Sequence, residues 1–274
     1  MLEKSESFNS NFIACIIEIA NKHSNHFQLD TKLISSACLN SLQQTLGIIL
    51  IEEYLIQNEM KTSVISAPTA KRIKLSRGKN TDEINLWIEL AKLYRSISDY
   101  DSVKGIFTRN MNLMTDYTYK AFEHEANYDF YNARKSYEEA FEKDWGDNEP
   151  LEIEQELWEQ SILRCCDELT DWKKMCDFSM NSTDLNELFT DSYTLENVFP
   201  YAFKSKLKLI LQEDRDEQRK HQDLLDFIKN IDNNNKQFLE QKYCLELALI
   251  YLHQKDFHAA KYYAQLCIEQ YLEV

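Results

Sequence analysis

The scarcity of turn-forming residues is the feature of this sequence that most limits its fold. The 274 residues include four glycines and three prolines. Sheet proteins need many tight turns, which these residues form most readily, whereas antiparallel helix pairs need few. Apolar residues recur at helical spacing through most of the chain, and no segment shows the strict alternation of a half-buried strand. The sequence therefore predicts an all-α fold.

An aspartate followed by an aromatic residue recurs four times between apolar helical stripes. The pairs are Asp99-Tyr100, Asp129-Phe130, Asp171-Trp172 and Asp256-Phe257. Around three of these aspartates, an alanine stands eight positions before and a small or β-branched residue four positions after. Small residues at facing positions let two antiparallel helices approach closely, as stacked helical repeats require. We expect each pair to form the turn between two helices.

The spacing of these residues is that of a tetratricopeptide repeat, and it is clearest between Trp87 and Phe107. The aspartates are 30, 42 and 85 residues apart, and the longest interval leaves room for a degenerate helix pair in 195–211 and 224–231. The sequence therefore predicts an irregular tetratricopeptide-like α–α solenoid. Trp87 is expected to be a buried aromatic residue. Its truncation to alanine should therefore lower the free energy of unfolding by about 3–5 kcal/mol. The predicted repeat-packing residues are Trp87, Leu90, Ala91, Tyr94, Phe107, Ala133, Tyr137, Ala140, Trp158, Ala248, Tyr251 and Ala260.

A basic segment interrupts the helical pattern. Residues 61–82 carry no acid before Asp82, and they include a cluster of lysines and arginines after Pro68. This composition is typical of a nuclear-import signal, and equally of a solvated linker attracted to an acidic surface. We predict helical repeats in residues 1–60, a flexible basic linker in 61–82, and tetratricopeptide-like helical repeats in 83–274. The candidate import residues are Lys71, Arg72, Lys74, Arg77 and Lys79.

Charge and cysteine content narrow the classes of partner. The net charge of −15 opposes contact with phosphate backbones, so we expect no direct nucleic-acid binding by the folded body. Seven cysteines without a C-x-x-C motif predict buried thiols in a reducing compartment. The first residues lack a signal sequence, and the longest apolar run, 46–51, is too short to cross a bilayer. We expect a soluble intracellular chain with no membrane partner.

Motifs of catalysis and ligand binding are missing from the sequence. No glycine-rich phosphate loop or kinase signature occurs, and the histidines lack metal-ligand spacing, with His253, His258 and Cys267 the nearest approach to a cluster. Cys165 and Cys166 are adjacent, so on a helix they point about 100° apart, and one is expected to be buried and the other partly exposed. No neighbouring base activates either thiol. We expect no catalytic residue, cofactor or metal.

Three segments resemble the FAT region of the phosphatidylinositol-3-kinase-related kinases, and specifically that of a DNA-repair member. They are residues 86–107, the loop Lys143-Asp144-Trp145-Gly146-Asp147-Asn148-Glu149-Pro150, and the run Ser205-Lys206-Leu207-Lys208-Leu209-Ile210-Leu211-Gln212. The resemblance covers roughly residues 30–274, with 1–30 expected to match poorly.

The resemblance implies a helical scaffold without catalytic residues, within a nuclear Ser/Thr kinase that repairs double-strand breaks by non-homologous end joining. The implied partners are the kinase domain and the remaining solenoid of that protein and, indirectly, the Ku heterodimer and DNA ends. The alternative interpretation is a free-standing tetratricopeptide-like adaptor that binds peptides in a concave groove.

Overall fold

The computed structural model describes residues 9–23, 29–65, 81–109, 114–146, 149–183, 188–212 and 223–272. Regular structure in these ranges is helical and contains no strand, which confirms the all-α prediction. A π-helical turn, Thr194–Val198, leads directly into α10. The α-helices are α1 (Ser10–Lys22), α2 (Thr31–Asn40), α3 (Gln44–Ile65), α4 (Thr81–Ser96), α5 (Tyr100–Arg109), α6 (Asp116–Ala126), α7 (Phe130–Glu142), α8 (Glu152–Glu168), α9 (Trp172–Asn181), α10 (Phe199–Gln212), α11 (Asp223–Asn230), α12 (Asn233–Lys242), α13 (Cys244–His253) and α14 (Phe257–Leu272).

The chain divides into two compact units, Met1–Trp158 and Glu159–Val274, and the boundary lies inside α8. In the first unit, α2 and α3 both pack on α4, and Ile34, Leu50 and Ile88 lie fully buried in one apolar cluster. The helices before residue 60 therefore share a core with α4. This differs from the sequence-based division, which separated 1–60 from 83–274 because the basic segment was taken as a boundary.

Close packing in the first unit requires a glycine in α3. A Cβ atom added at Gly47 would lie 2.8 Å from Sγ of Cys38 on α2 and 3.0 Å from Leu93 on α4. Real Cβ atoms do not approach other atoms this closely, so a larger residue would force the three helices apart. One of the four glycines thus serves helix packing rather than a turn.

The second unit is built around α10, whose apolar side chains are buried on most of its surface. Phe203 of α10 stacks on Tyr243, with ring centroids 4.2 Å apart, and Phe199 contacts the same ring edge-on at 5.8 Å. Three helices, α10 to α12, fill the long interval before Asp256, where the sequence predicted one degenerate pair. The additional helix, α12, begins in an asparagine-rich stretch because Asp232 accepts a hydrogen bond from the Asn235 N–H and caps it.

The ends of the basic linker also differ from the prediction. Helix α3 continues to Ile65 and α4 begins at Thr81, so the first five and last two residues of the predicted 61–82 linker are helical. No proline occurs before Pro68 to stop α3. Across the described ranges, no helix combines the length and apolar content needed to cross a bilayer.

Candidate functional site

The predicted turn between helices is present at all four Asp-aromatic pairs. In each, the aspartate carboxylate accepts a hydrogen bond from the backbone N–H three residues later, which is the interaction of a helix N-cap. The donors are the N–H groups of Ser102 to Asp99 at 3.1 Å, Asn132 to Asp129 at 3.2 Å, Lys174 to Asp171 at 3.3 Å, and Ala259 to Asp256 at 3.1 Å. The repeated aspartate therefore starts the second helix of each pair.

The residue before each aspartate ends the preceding helix. Its φ is positive at all four turns: 60° at Ser98, 57° at Tyr128, 54° at Thr170 and 65° at Lys255. The N–H of the following aspartate donates to the carbonyl five residues earlier, at 2.9–3.0 Å in every case. This is the hydrogen-bond pattern of a Schellman C-cap, followed directly by an N-cap. Two residues thus stop one helix and begin the next.

Thr170 is expected to be the most strained of these positions, because β-branched residues disfavour positive φ. The left-handed conformation costs an L-residue about 1–2 kcal/mol, and glycine avoids this cost at some expense in unfolded-state entropy. Thr170→Gly should therefore stabilise the fold by up to about 1 kcal/mol, measured as a higher thermal midpoint. Ser136→Gly inside α7 is the control and should lower the midpoint. A lower midpoint for Thr170→Gly would contradict the strain argument.

A fifth turn of the same form joins α2 to α3, and the sequence pattern missed it. Leu42 has a φ of 58°, and the Gln43 N–H donates to the Cys38 carbonyl at 2.9 Å. No Asp-aromatic pair marks this position, and Leu42 is 78% exposed, so neither composition nor periodicity identified it.

The small residues that were expected to pack between paired helices are buried. Ala91, Ala133 and Ala140 are 0% exposed. Ala248 and Ala260 are also buried, at 9% and 8%. Because these side chains end at Cβ, the helix backbones of each pair can approach closely.

The predicted aromatic positions divide into two groups. Tyr137 and Trp158 are fully buried, with Trp158 1% exposed. Trp87, Tyr94 and Tyr251 are only partly buried and pack on the edges of the two cores. Trp87 was expected to be a buried anchor, whereas its side chain is only partly buried. The side chain of Phe107 lies outside the described residues, whereas Leu90 is buried at 2%.

A buried ion pair links two successive repeats. Nη2 of Arg95 on α4 donates to Oε1 of Glu125 on α6 at 2.8 Å, and the side chains are 6% and 1% exposed. The Tyr137 hydroxyl donates to the same carboxylate oxygen at 2.9 Å, and the guanidinium lies 5.5 Å from the centre of the Phe122 ring. The sequence did not reveal this cluster, because Arg95 and Glu125 each lie in a helix whose residue pattern is that of an ordinary amphipathic helix.

A second buried carboxylate holds the start of α6. Oε1 of Glu154 on α8 accepts hydrogen bonds from the Thr115 N–H and hydroxyl, both at 2.9 Å, and from the Thr118 hydroxyl at 2.5 Å. The Trp158 indole N–H donates to the Thr118 oxygen at 2.6 Å. Burial raises the pKa of Glu154, and the hydrogen bonds partly oppose this rise. The acidic stripe at the start of α8 thus includes one glutamate, Glu154, that is buried.

The raised pKa of Glu154 predicts a pH-dependent stability. The folded state binds this proton more tightly than the unfolded state, so the stabilisation exists at acid pH and is lost as pH rises through the folded pKa. Glu154→Gln stays neutral and keeps an acceptor oxygen. The unfolding free energy of the wild type, relative to the variant, should therefore fall as the pH rises above the ordinary pKa of a glutamic acid side chain. A difference that does not change with pH would contradict the assignment.

Reactive side chains do not converge in the part of the chain described here. No group of three His, Cys, Asp or Glu side chains among these residues is placed to hold a metal ion. Burial raises the pKa of the Cys38 and Cys244 thiols to about 11, which disfavours the nucleophilic thiolate. Cys165 and Cys166 are both 0% exposed, so the expectation that one is partly exposed is wrong.

The candidate import residues Lys71, Arg72, Lys74, Arg77 and Lys79 lie outside the described residues. The helix before them, α3, ends at Ile65, and the helix after them, α4, begins at Thr81.

Comparison with known proteins identifies the origin of the repeats. Residues 1–56 match the family model described as "DNA-PKcs, CC5". The DNA-dependent protein kinase catalytic subunit of Gallus gallus is 40% identical over 271 residues, which is 96% of this chain and 6% of the relative. The same subunit of Mus musculus is 38% identical over 273 residues, covering 96% and 6%. The chain is homologous to one segment of this subunit.

The extent of the match to the kinase subunit corrects one expectation. The subunit of Xenopus laevis is 36% identical over 282 residues, which is 99% of this chain and 7% of the relative. Residues 1–30 therefore match as well, and the expectation that they match poorly is wrong. The chain spans about 6% of the length of the curated relatives it matches.

Proposed function

We propose that the chain is a non-catalytic helical scaffold segment of a DNA-dependent protein kinase catalytic subunit. In this proposal residues 1–56 correspond to the CC5 region and residues 83–274 to FAT-type repeats. The parent acts as a nuclear Ser/Thr kinase in double-strand-break repair by non-homologous end joining. The partners of the segment are the kinase domain and remaining solenoid of the parent, and the Ku heterodimer and DNA ends are indirect partners.

The observation that carries the proposal is homology along nearly the whole chain, at 40% identity to one relative. The structure is in keeping with a scaffold role. The polar groups that it buries, such as Glu125 and Glu154, hold neighbouring helices together, and the described thiols with resolved shifts are held protonated. Buried networks of this kind fix the geometry of a helical stack.

A free-standing peptide-binding adaptor is not favoured. One concave surface among the described residues illustrates the reason. It lies beside Trp145 and Trp158 and has a volume of about 490 Å³, but the Lys143 ammonium lies 4.3 Å from the centre of the Trp145 ring. The same ammonium is 4.8 Å from the centre of the Tyr117 ring. The chain's own lysine therefore satisfies the aromatic faces that a peptide cation would contact.

The test is a phosphorylation assay on the protein at its natural length. Purified protein is incubated with ATP and a serine-containing peptide, with and without linear double-stranded DNA and Ku. The proposal expects phosphorylation that rises when DNA ends and Ku are both present. Closed circular DNA is the matched control and should stimulate less. A protein without kinase activity, or with activity indifferent to DNA ends, would contradict the proposal.

We also propose that the basic segment directs nuclear import. Fusion of residues 61–82 to a cytoplasmic reporter should move the reporter into the nucleus, because five basic residues lie within the nine positions 71–79. The matched control replaces Lys71, Arg72 and Lys74 with alanine and should leave the reporter in the cytoplasm. A cytoplasmic wild-type fusion would reject the import role in favour of an ordinary solvated linker.

A further inference from the structure

The segment that follows α7 places a lysine ammonium against two aromatic rings. Lys143 is the first residue after α7, its backbone is extended (φ −72°, ψ 132°), and its side chain is exposed. The ammonium lies 4.3 Å from the centre of the Trp145 ring and 4.8 Å from the centre of the Tyr117 ring. The planes of these two rings are 80° apart and their centroids are separated by 5.8 Å, so the cation faces two nearly perpendicular rings.

Trp145 connects this segment to the neighbouring helices. Its indole N–H donates to the Ala140 carbonyl of α7 at 3.0 Å, and its ring stacks on that of Trp158 in α8, with centroids 5.9 Å apart. The second ring, that of Tyr117, belongs to α6. The lysine therefore contacts one ring from its own segment and one from α6. We call Tyr117, Lys143 and Trp145 the lysine clasp, because together they hold the segment against the helices.

The lysine clasp depends on the positive charge of Lys143. The electron-rich face of an aromatic ring attracts a cation, and a neutral amide nitrogen in the same place loses that attraction. Methylation of a lysine keeps its charge, and aromatic rings bind methylated ammonium groups well. Acetylation removes the charge. The lysine clasp should therefore withstand methylation of Lys143 and open when this lysine is acetylated.

We propose that Lys143 is an acetylation site and that its acetylation releases Trp145 from the lysine clasp. The acetyl donor is an acetyl thioester. The ammonium loses one proton to solvent, and the amine then attacks the thioester carbonyl. The new C–N bond forms, the C–S bond breaks, and the second proton passes to the departing thiolate. The exposed side chain and extended backbone of Lys143 make it accessible to an acetyltransferase, whereas the backbone of Lys135 is held inside α7.

Hydroxyl-radical footprinting tests the release of Trp145. Acetyllysine is genetically encoded at position 143 of the protein at its natural length, and oxidation of the Trp145 ring is quantified by mass spectrometry. Oxidation should be about two- to fivefold faster than in the unmodified protein, which is the change in an equilibrium constant that an exposed cation–π contact supplies. Lys143→Arg keeps the cation and should leave the rate unchanged.

Acetyllysine at position 135 is the matched control, because the Lys135 ammonium lies 4.0 Å from Glu139 and the side chain is exposed. It should leave the oxidation of Trp145 unchanged. Equal oxidation rates in the proteins acetylated at 143 and at 135 would overturn the release, and so would a rate for Lys143→Arg that equals that of the protein acetylated at 143.

Quantitative mass spectrometry tests the modification itself. The protein is isolated from its own cells with deacetylases inhibited, and the acetylated fractions of Lys143 and Lys135 are measured against isotope-labelled peptides. The proposal expects a larger acetylated fraction at Lys143, and a fraction no larger than that at Lys135 would overturn it. These readouts do not depend on catalysis by the protein. A protein that fails the DNA-stimulated phosphorylation assay but gives both results would refute the kinase proposal and leave the acetylation site standing.

Discussion

Replacing Trp158 with alanine is expected to destabilise the first unit by about 3–5 kcal/mol, as truncation of a fully buried aromatic does. Trp158 is 1% exposed and stacks on Trp145, with ring centroids 5.9 Å apart. The substitution also removes the indole N–H that donates to Thr118, the residue that in turn donates to Glu154. The loss therefore combines a cavity with a disrupted buried hydrogen-bond network.

The matched control for Trp158→Ala is Trp87→Ala, because Trp87 is only partly buried. Trp87→Ala should lower the free energy of unfolding by clearly less than Trp158→Ala does, because it removes less buried apolar surface. Chemical denaturation followed by far-ultraviolet circular dichroism measures both without relying on tryptophan fluorescence. If Trp87→Ala cost as much as Trp158→Ala, the distinction between a core anchor and an edge residue would be wrong.

Replacing Glu125 with alanine is expected to cost about 3–5 kcal/mol, because it removes the carboxylate that pairs with buried Arg95. Arg95 is 6% exposed, so water cannot readily replace the lost partner. The Tyr137 hydroxyl loses the same acceptor. The guanidinium charge is then retained in a site of low polarity, where an incompletely paired ion is costly.

Glu123→Ala on the same helix is the control for Glu125→Ala. Glu123 pairs with Lys104 at 3.7 Å, and the two side chains are 48% and 42% exposed. Exposed pairs of this kind contribute about 0–1 kcal/mol, so the variant should stay close to the wild type in urea denaturation. Similar losses for the two variants would show that the Arg95–Glu125 pair does not depend on burial for its effect.

Local patterns in the sequence predicted the repeat turns correctly. An aspartate can cap a helix wherever the next three residues turn, and small residues at fixed distances allow two helices to meet. Both requirements act within one repeat, so Asp99, Asp129, Asp171 and Asp256 were recognisable without a structure. The turn at Leu42 was missed because its backbone hydrogen bonds form without the aspartate side chain.

Contacts between distant residues could not be predicted in this way. Glu154 belongs to a run of glutamates that reads as a solvated helix face, yet it is 3% exposed and accepts hydrogen bonds from Thr115 and Thr118. Its burial depends on how α8 meets α6, which helical periodicity does not determine. The same reason explains why the burial of Trp87 was overestimated and why the Arg95–Glu125 ion pair was not predicted.

The boundary between the units also depends on tertiary packing. The basic segment suggested a division after residue 60, since composition changes there. Ile34, Leu50 and Ile88 instead share one core across that segment. A change of composition marks a connection between helices, but only the side chains on either side decide whether their helices pack together.

Amide hydrogen exchange at the repeat turns tests the central claim, which is that the same type of turn joins the two helices at each of the four Asp-aromatic pairs. The account predicts slow exchange at the N–H groups of Asp99, Asp129, Asp171 and Asp256, because each donates to the carbonyl five residues earlier at 2.9–3.0 Å. Exchange at the intrinsic rate of an unfolded chain at these four amides would contradict it.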